Sequence, residues 1–121
     1  LFQRDFYERG LALPDKKENS SGMGRIDLIF KYKGIKYVGE IKFAPWYGNS
    51  EFWDALKVLG YTTYLNWTNE ITGSKGRYKP AILMPKKKIR LDHKIIAGRL
   101  HITLFGIDKE EDGTYKVELI N

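Results

Sequence analysis

The chain has 121 residues, 42% of them hydrophobic, which is enough for one domain (1–121) around a single core. Lys and Arg outnumber Asp and Glu 21 to 15; the resulting charge of +6 suits a polyanionic partner, since neutralising phosphates releases counterions, and it also serves solubility. The absence of cysteine excludes disulfides, thiolate chemistry and zinc–cysteine sites, and no run reaches the ~20 apolar residues of a membrane span, so a soluble intracellular protein without a membrane partner is expected.

The first residue is Leu, so the stretch is read as a fragment, a processed chain or a chain with an unseen start. Residues Leu1 to Arg9 read as the end of a first helix, with Gly10 as its C-cap. Leu11 to Leu13 suit a short strand. Asp15 to Gly24 is a polar loop, in which Ser20, Ser21 and the following Arg25 are either phosphate contacts or parts of a solvated connector.

Two β-rich runs, Ile26 to Tyr32 and Ile35 to Phe43, flank Lys33-Gly34, which predicts a hairpin whose opposed residue numbers add to 67. In that register Asp27 opposes Glu40, and Lys42 shares their face. The other face carries Ile26, Leu28, Phe30, Tyr32, Ile35, Tyr37, Ile41 and Phe43, a core face. Opposed carboxylates destabilise a hairpin unless neutralised; Mg²⁺, Mn²⁺ or Ca²⁺ would suit these hard oxygen donors, and a neighbouring lysine could orient water. The same residues also fit a plain amphipathic hairpin in which Lys42 bridges the two acids.

Ala44 to Ser50 holds chain breakers, and Glu51 to Asn66 then follows a helical period with Phe52, Ala55, Leu56, Leu59 and Thr63 as the buried stripe. Lys57 and Tyr61, four apart, share a second face as candidate nucleic-acid contacts; packing competes as the role of Tyr61. Gly60 is expected to let the helix approach the sheet closely.

Trp67 to Lys79 reads as a long connection whose Lys75, Arg77, Tyr78 and Lys79 form either a clamp on nucleic acid or an exposed loop. Pro80 and Pro85 bracket a buried strand, Ala81 to Met84, followed by the basic cluster Lys86, Lys87, Lys88 and Arg90, which either tracks a phosphate backbone or forms a solvated turn. Leu91 to Arg99 is a short helix; Leu100 to Ile107 and Thr114 to Ile120 pair across an Asp112-Gly113 turn. His93 and His101 have no metal or triad context and are read as structural or surface residues. Nucleotide-cradling and serine-nucleophile motifs are absent.

Gly24-Arg25-Ile26-Asp27-Leu28, a hairpin, and then Val38-Gly39-Glu40-Ile41-Lys42 resemble the PD-(D/E)XK, or restriction-endonuclease-like, nuclease superfamily, and within it the Holliday-junction resolvases and archaeal-type single-strand and mismatch endonucleases. The likeness covers about residues 20 to 65. It implies an α/β fold with a restriction-endonuclease-like core, a central mixed β-sheet flanked by helices and an added C-terminal β-hairpin. It also implies a Mg²⁺-dependent endonuclease, with Mn²⁺ as a substitute, acting on DNA. Asp27 and Glu40 would bind the metal with the Ile41 carbonyl, Glu8 from the first helix would add an acid, and Lys42 would be the catalytic lysine. A homodimer follows from the resemblance alone. Lys57 departs from the Gln-x-x-x-Tyr pattern of these enzymes, and Pro14-Asp15 matches the family name only literally. A non-catalytic nucleic-acid-binding module on the same scaffold, or a protein-interaction domain using Trp46, Tyr47 and Trp53, are the competing readings.

Overall fold

A computed structural model of the chain describes residues 3–5, 28–42 and 50–121. In chain order these form β1 (Gln3–Asp5), β2 (Leu28–Tyr32), β3 (Ile35–Ile41), α1 (Ser50–Thr72), β4 (Tyr78–Pro85), a 3-10 turn (Lys86–Lys88), α2 (Leu91–Arg99), β5 (Thr103–Lys109) and β6 (Tyr115–Leu119). Five full strands and the three-residue β1 make one mixed sheet in the order β1-β2-β3-β4-β5-β6. The β2–β3 and β5–β6 pairs are antiparallel, and β1–β2, β3–β4 and β4–β5 are parallel. The chain is therefore α/β with a mixed sheet and a C-terminal hairpin.

The β2–β3 hairpin has the expected register: Tyr32 pairs with Ile35 and Leu28 with Gly39, every pair adding to 67. Lys33 and Gly34 carry φ of 48° and 80°, both positive, as a two-residue turn that matches strand twist requires.

From β3 to β5 the strands advance in one direction across the sheet, so two right-handed crossovers place α1 and α2 on the same face. One core layer accordingly joins Ala55 and Val58 of α1 and Ala97 of α2 to Val38, Ile82, Met84 and Leu104. Among the described residues both helices flank one face of the sheet.

The opposite face closes on itself. Phe105 of β5 lies 5.4 Å from the Phe30 ring and 5.0 Å from the Tyr32 ring, both on β2. These strands are three steps apart, about 14 Å on a flat sheet at ~4.8 Å per step, so the sheet is strongly curled. Tyr37 completes the aromatic cluster, stacked on Phe30 at 5.4 Å. Gly39 makes this packing possible: an added Cβ would stand 2.7 Å from Leu83 Cδ1 and 3.0 Å from Phe30 Cε1. The expected core face is thus buried at Leu28, Phe30, Tyr32, Tyr37 and Ile41, while Ile35 at the turn is exposed.

Several expectations need correction. Gln3–Asp5, expected within a helix, pairs with Ile29–Lys31 as a parallel strand and covers the hydrogen-bonding edge that β2 would otherwise leave open. The helix expected to end at Asn66 runs to Thr72, where Gly73 with φ +72° ends it, so the long connection shrinks to 73–77. Asn66 clasps the next strand instead: it accepts from Tyr78 N at 2.8 Å and donates to Tyr78 O at 3.0 Å. Ala55, Val58 and Thr62 form the buried line of α1, rotated from the expected stripe, so that Leu56 and Thr63 face solvent. Gly60 also faces solvent; among the described residues an added Cβ there meets nothing within 4 Å, so none of them offsets the ~0.5–1 kcal/mol that a mid-helix glycine costs. α2 has the expected bounds; β4 extends beyond Ala81 to Met84 to span Tyr78–Pro85, and the terminal hairpin forms with its first strand shifted to Thr103–Lys109.

Candidate active site

Because β3, β4 and β5 run parallel, their carboxyl ends share one edge of the sheet, the edge at which α/β folds gather ligand-binding groups. Glu40, Ile41 and Lys42 stand at that end of β3, and the backbone of Lys42 is tied to β4 through Lys42 N donating to Leu83 O at 2.9 Å. Glu40 points to the helix-covered face, as its position one residue from Ile41 dictates. It is buried to 3% exposure under α1.

Two residues of α1 meet this strand end. Lys57 Nζ lies 3.2 Å from Glu40 Oε1, and Lys42 Nζ lies 2.9 Å from Asp54 Oδ2. Asp54 and Lys57, three apart, share one helix face, so the four side chains form a small quartet of two acids and two bases. Burial alone would lower the pKa of Lys57, but the charge and hydrogen bond of Glu40, with smaller help from Tyr61 and Asp54, leave it raised above its ordinary 10.5. Tyr61, one turn further along α1, is half-buried against the helix-side core.

Among the described residues Lys42 pairs with Asp54; the bridge from Lys42 to both strand carboxylates involves Asp27, which lies outside the described residues. Asp54 was not among the candidate site residues that the sequence offered. The available signal was its three-residue spacing from Lys57 on the helix that follows Glu40 and Lys42.

The basic turn Lys86–Lys88 leaves β4 at the same edge. Its first lysine is committed to the fold: Lys86 Nζ is 2.6 Å from Glu118 Oε2 on β6. Lys87 and Lys88 are exposed there. Lys75 and Arg77, by contrast, precede β4 and lie at the opposite end of the sheet, where Arg77, Tyr78 and Lys79 line a cleft of about 380 Å³ with Gly34, Ile35 and Lys36. The length of β4 separates the two basic groups by about 23 Å, at ~3.3 Å per residue. Lys75 and Arg77 therefore do not share a surface with Glu40.

Asp27, Glu8, Ser21 and Arg25 lie outside the described residues, as do Ser20, Trp46 and Tyr47. Among the described residues no three His, Asp or Glu side chains converge as metal ligands. No family model matches the chain, and neither a curated protein nor a solved structure is similar to it.

His93 fills a structural role. It is buried at the start of α2, and its Nδ1 accepts from Arg90 N at 3.0 Å, satisfying a donor that the helix start leaves open. Among the described residues no helix is long and apolar enough to cross a membrane.

Proposed function

We propose that this chain is a metal-dependent nuclease of the PD-(D/E)XK type, hydrolysing phosphodiester bonds within DNA, and that its fold is a compact variant of the restriction-endonuclease-like core. The observation that carries the reading is the buried Glu40, two residues before Lys42 at the carboxyl end of β3, held against Lys57 and beside the Lys42–Asp54 pair. A carboxylate kept under a helix costs several kcal/mol of desolvation unless paired, so its retention at a strand end beside three further charged groups favours a chemical role.

A hard divalent cation would take a carboxylate from Glu40 and a backbone carbonyl from Ile41, and Asp27, outside the described residues, is the acid that the sequence pairs with Glu40. Glu8 is the further acid that the resemblance adds. When bound, Mg²⁺ or Mn²⁺ supplies Lewis-acid polarisation of the phosphate and a more acidic water. Lys57, with its ammonium 3.2 Å from Glu40 Oε1, keeps that carboxylate ionised and would meet phosphate oxygens beside it. Lys42, held close to Asp54, hydrogen-bonds the attacking water or the developing negative charge. Lys87 and Lys88, at the same sheet edge, hold the nucleic-acid backbone on either side of the scissile bond.

The test is cleavage of circular duplex, single-stranded, branched and RNA substrates by the wild type, Glu40→Gln and Lys42→Ala with Mg²⁺, Mn²⁺ or EDTA. Metal-dependent cutting that falls at least ~100-fold in both variants supports the proposal. The second reading, a non-catalytic nucleic-acid-binding module, is favoured by the Glu40–Lys57 pairing, which satisfies the acid without a metal. Salt-sensitive binding without turnover, unchanged in Glu40→Gln, would establish it and overturn catalysis.

A further inference from the structure

The outer face of α1 carries a second apolar stripe that the core does not use. Trp53, Leu56, Tyr64, Trp67 and Ile71 are all exposed, from 40% for Leu56 to 66% for Trp53. With Gly60 they follow one another at intervals of three or four residues, so at 3.6 residues per turn they form a band along the helix side opposite Ala55, Val58 and Thr62. Residues 58–69 contain no charged side chain, in a chain that is 30% charged.

This band is symmetric about Gly60. Trp53 and Trp67 lie seven residues to either side of it, and Leu56 and Tyr64 lie four. Two such helices laid antiparallel with Gly60 against Gly60 pair residues whose numbers add to 120. Trp53 then meets Trp67 of the other copy, and Leu56 meets Tyr64. An isologous two-fold contact demands this reciprocity, in which i touches j and j touches i. Among the described residues nothing lies within 4 Å of a Cβ built on the glycine at its centre, and a glycine allows the closest approach of two backbones at the point where a dyad needs it.

From these relations we infer that α1 is a self-association surface, on which a second copy of this chain docks antiparallel across a two-fold axis at Gly60. The inference stands apart from the nuclease reading. Charge favours this face: two copies, each +6, approach with least repulsion through the uncharged stretch 58–69 at its centre. Area favours it too. The three aromatics expose 56–66% of side chains worth ~150–250 Å² each, and with Leu56 and Ile71 they bring the band to roughly 500 Å². That is at the upper range of patches left open on monomers and most of the ~800 Å² per partner of a standard interface.

The experiment is sedimentation velocity of the 121-residue chain up to about 1 mM, for the wild type, Trp67→Lys and the control Glu111→Lys, with circular dichroism to check folding. We expect a reversible dimer whose dissociation constant rises at least tenfold in Trp67→Lys and not in the control. Since the chain has no cysteine, Gly60→Cys adds an independent readout: under mild oxidation it should form a covalent dimer about tenfold faster than Glu111→Cys. A wild type that stays monomeric throughout, a dimer indifferent to Trp67→Lys, or equal cross-linking at both cysteines overturns the inference. So does a monomer that co-sediments with phosphatidylcholine vesicles, which would assign the band to a lipid surface.

Discussion

Lys57 Nζ stands 3.2 Å from Glu40 Oε1, so a carboxylate with almost no solvent of its own is neutralised by a cation whose stem still reaches water. The arrangement makes the two residues unequal. Removing the cation strands a buried charge, whereas replacing the acid by an amide removes the charge that needed a partner. Lys57→Ala is therefore expected to cost about 1–3 kcal/mol in urea unfolding, less than a fully buried pair because Lys57 is half exposed, and Glu40→Gln less than that. In a double-mutant cycle the two substitutions should be non-additive by more than ~0.5 kcal/mol; additivity would show that the pair contributes nothing to the fold.

Alkali should destabilise the protein through two groups at once. The pKa of Lys57 is raised above 10.5, since burial, which lowers it, is outweighed by Glu40 together with Tyr61 and Asp54, and burial raises that of Tyr37 above its ordinary 10.0 despite a hydrogen bond with Thr103. Both groups hold their proton more tightly folded than unfolded. Their contribution is complete below the unfolded values and is lost as pH rises through the folded ones, so stability should fall above about pH 10. Denaturant titrations from pH 8 to 11.5 check this; Lys57→Gln should flatten the fall, and a profile unchanged by that substitution would remove Lys57 from the account.

Gly39→Ala places a methyl group 2.7 Å from Leu83 and 3.0 Å from Phe30 in the tightest part of the aromatic layer. Overpacking of this kind typically costs about 1–3 kcal/mol, here with a changed near-ultraviolet signal because Phe30 stacks on Tyr37. Gly60→Ala is the matched control: in open space on a helix, it should stabilise by about 0.5–1 kcal/mol in dilute solution.

Asn66→Ala strips both backbone groups of Tyr78 of their side-chain partner in a half-buried setting. The expected loss is about 1–3 kcal/mol, with faster amide exchange at Tyr78. Unchanged protection there would mean that the clasp is incidental.

The hairpin was legible to the residue because Lys33-Gly34 fixes the turn and alternation fixes the faces, and both signals are local. The buried line of α1 was not. Its sequence is apolar on two sides, and with Trp53, Leu56, Tyr64 and Trp67 competing with Ala55 and Val58, periodicity alone selects an average that matches neither. Asn66 was taken for a helix end because its tertiary partner, Tyr78, lies twelve residues away and leaves no mark on the local pattern. At the site, Glu40 and Lys42 were singled out from strand alternation, but their ion-pair partners Lys57 and Asp54 come from the next element and could be assigned only once α1 was seen to lie over β3.

The curled aromatic layer makes the order of synthesis matter. Phe30, Tyr32 and Tyr37 leave the ribosome long before Phe105, the ring that closes over all three. For most of translation the hairpin therefore presents sticky, unfinished surface, and the chain depends on whatever shields it until the fifth strand arrives. Truncations that stop short of Phe105 should accumulate as aggregates rather than as smaller folded units, so the last quarter of this chain acts as the latch for its first hairpin.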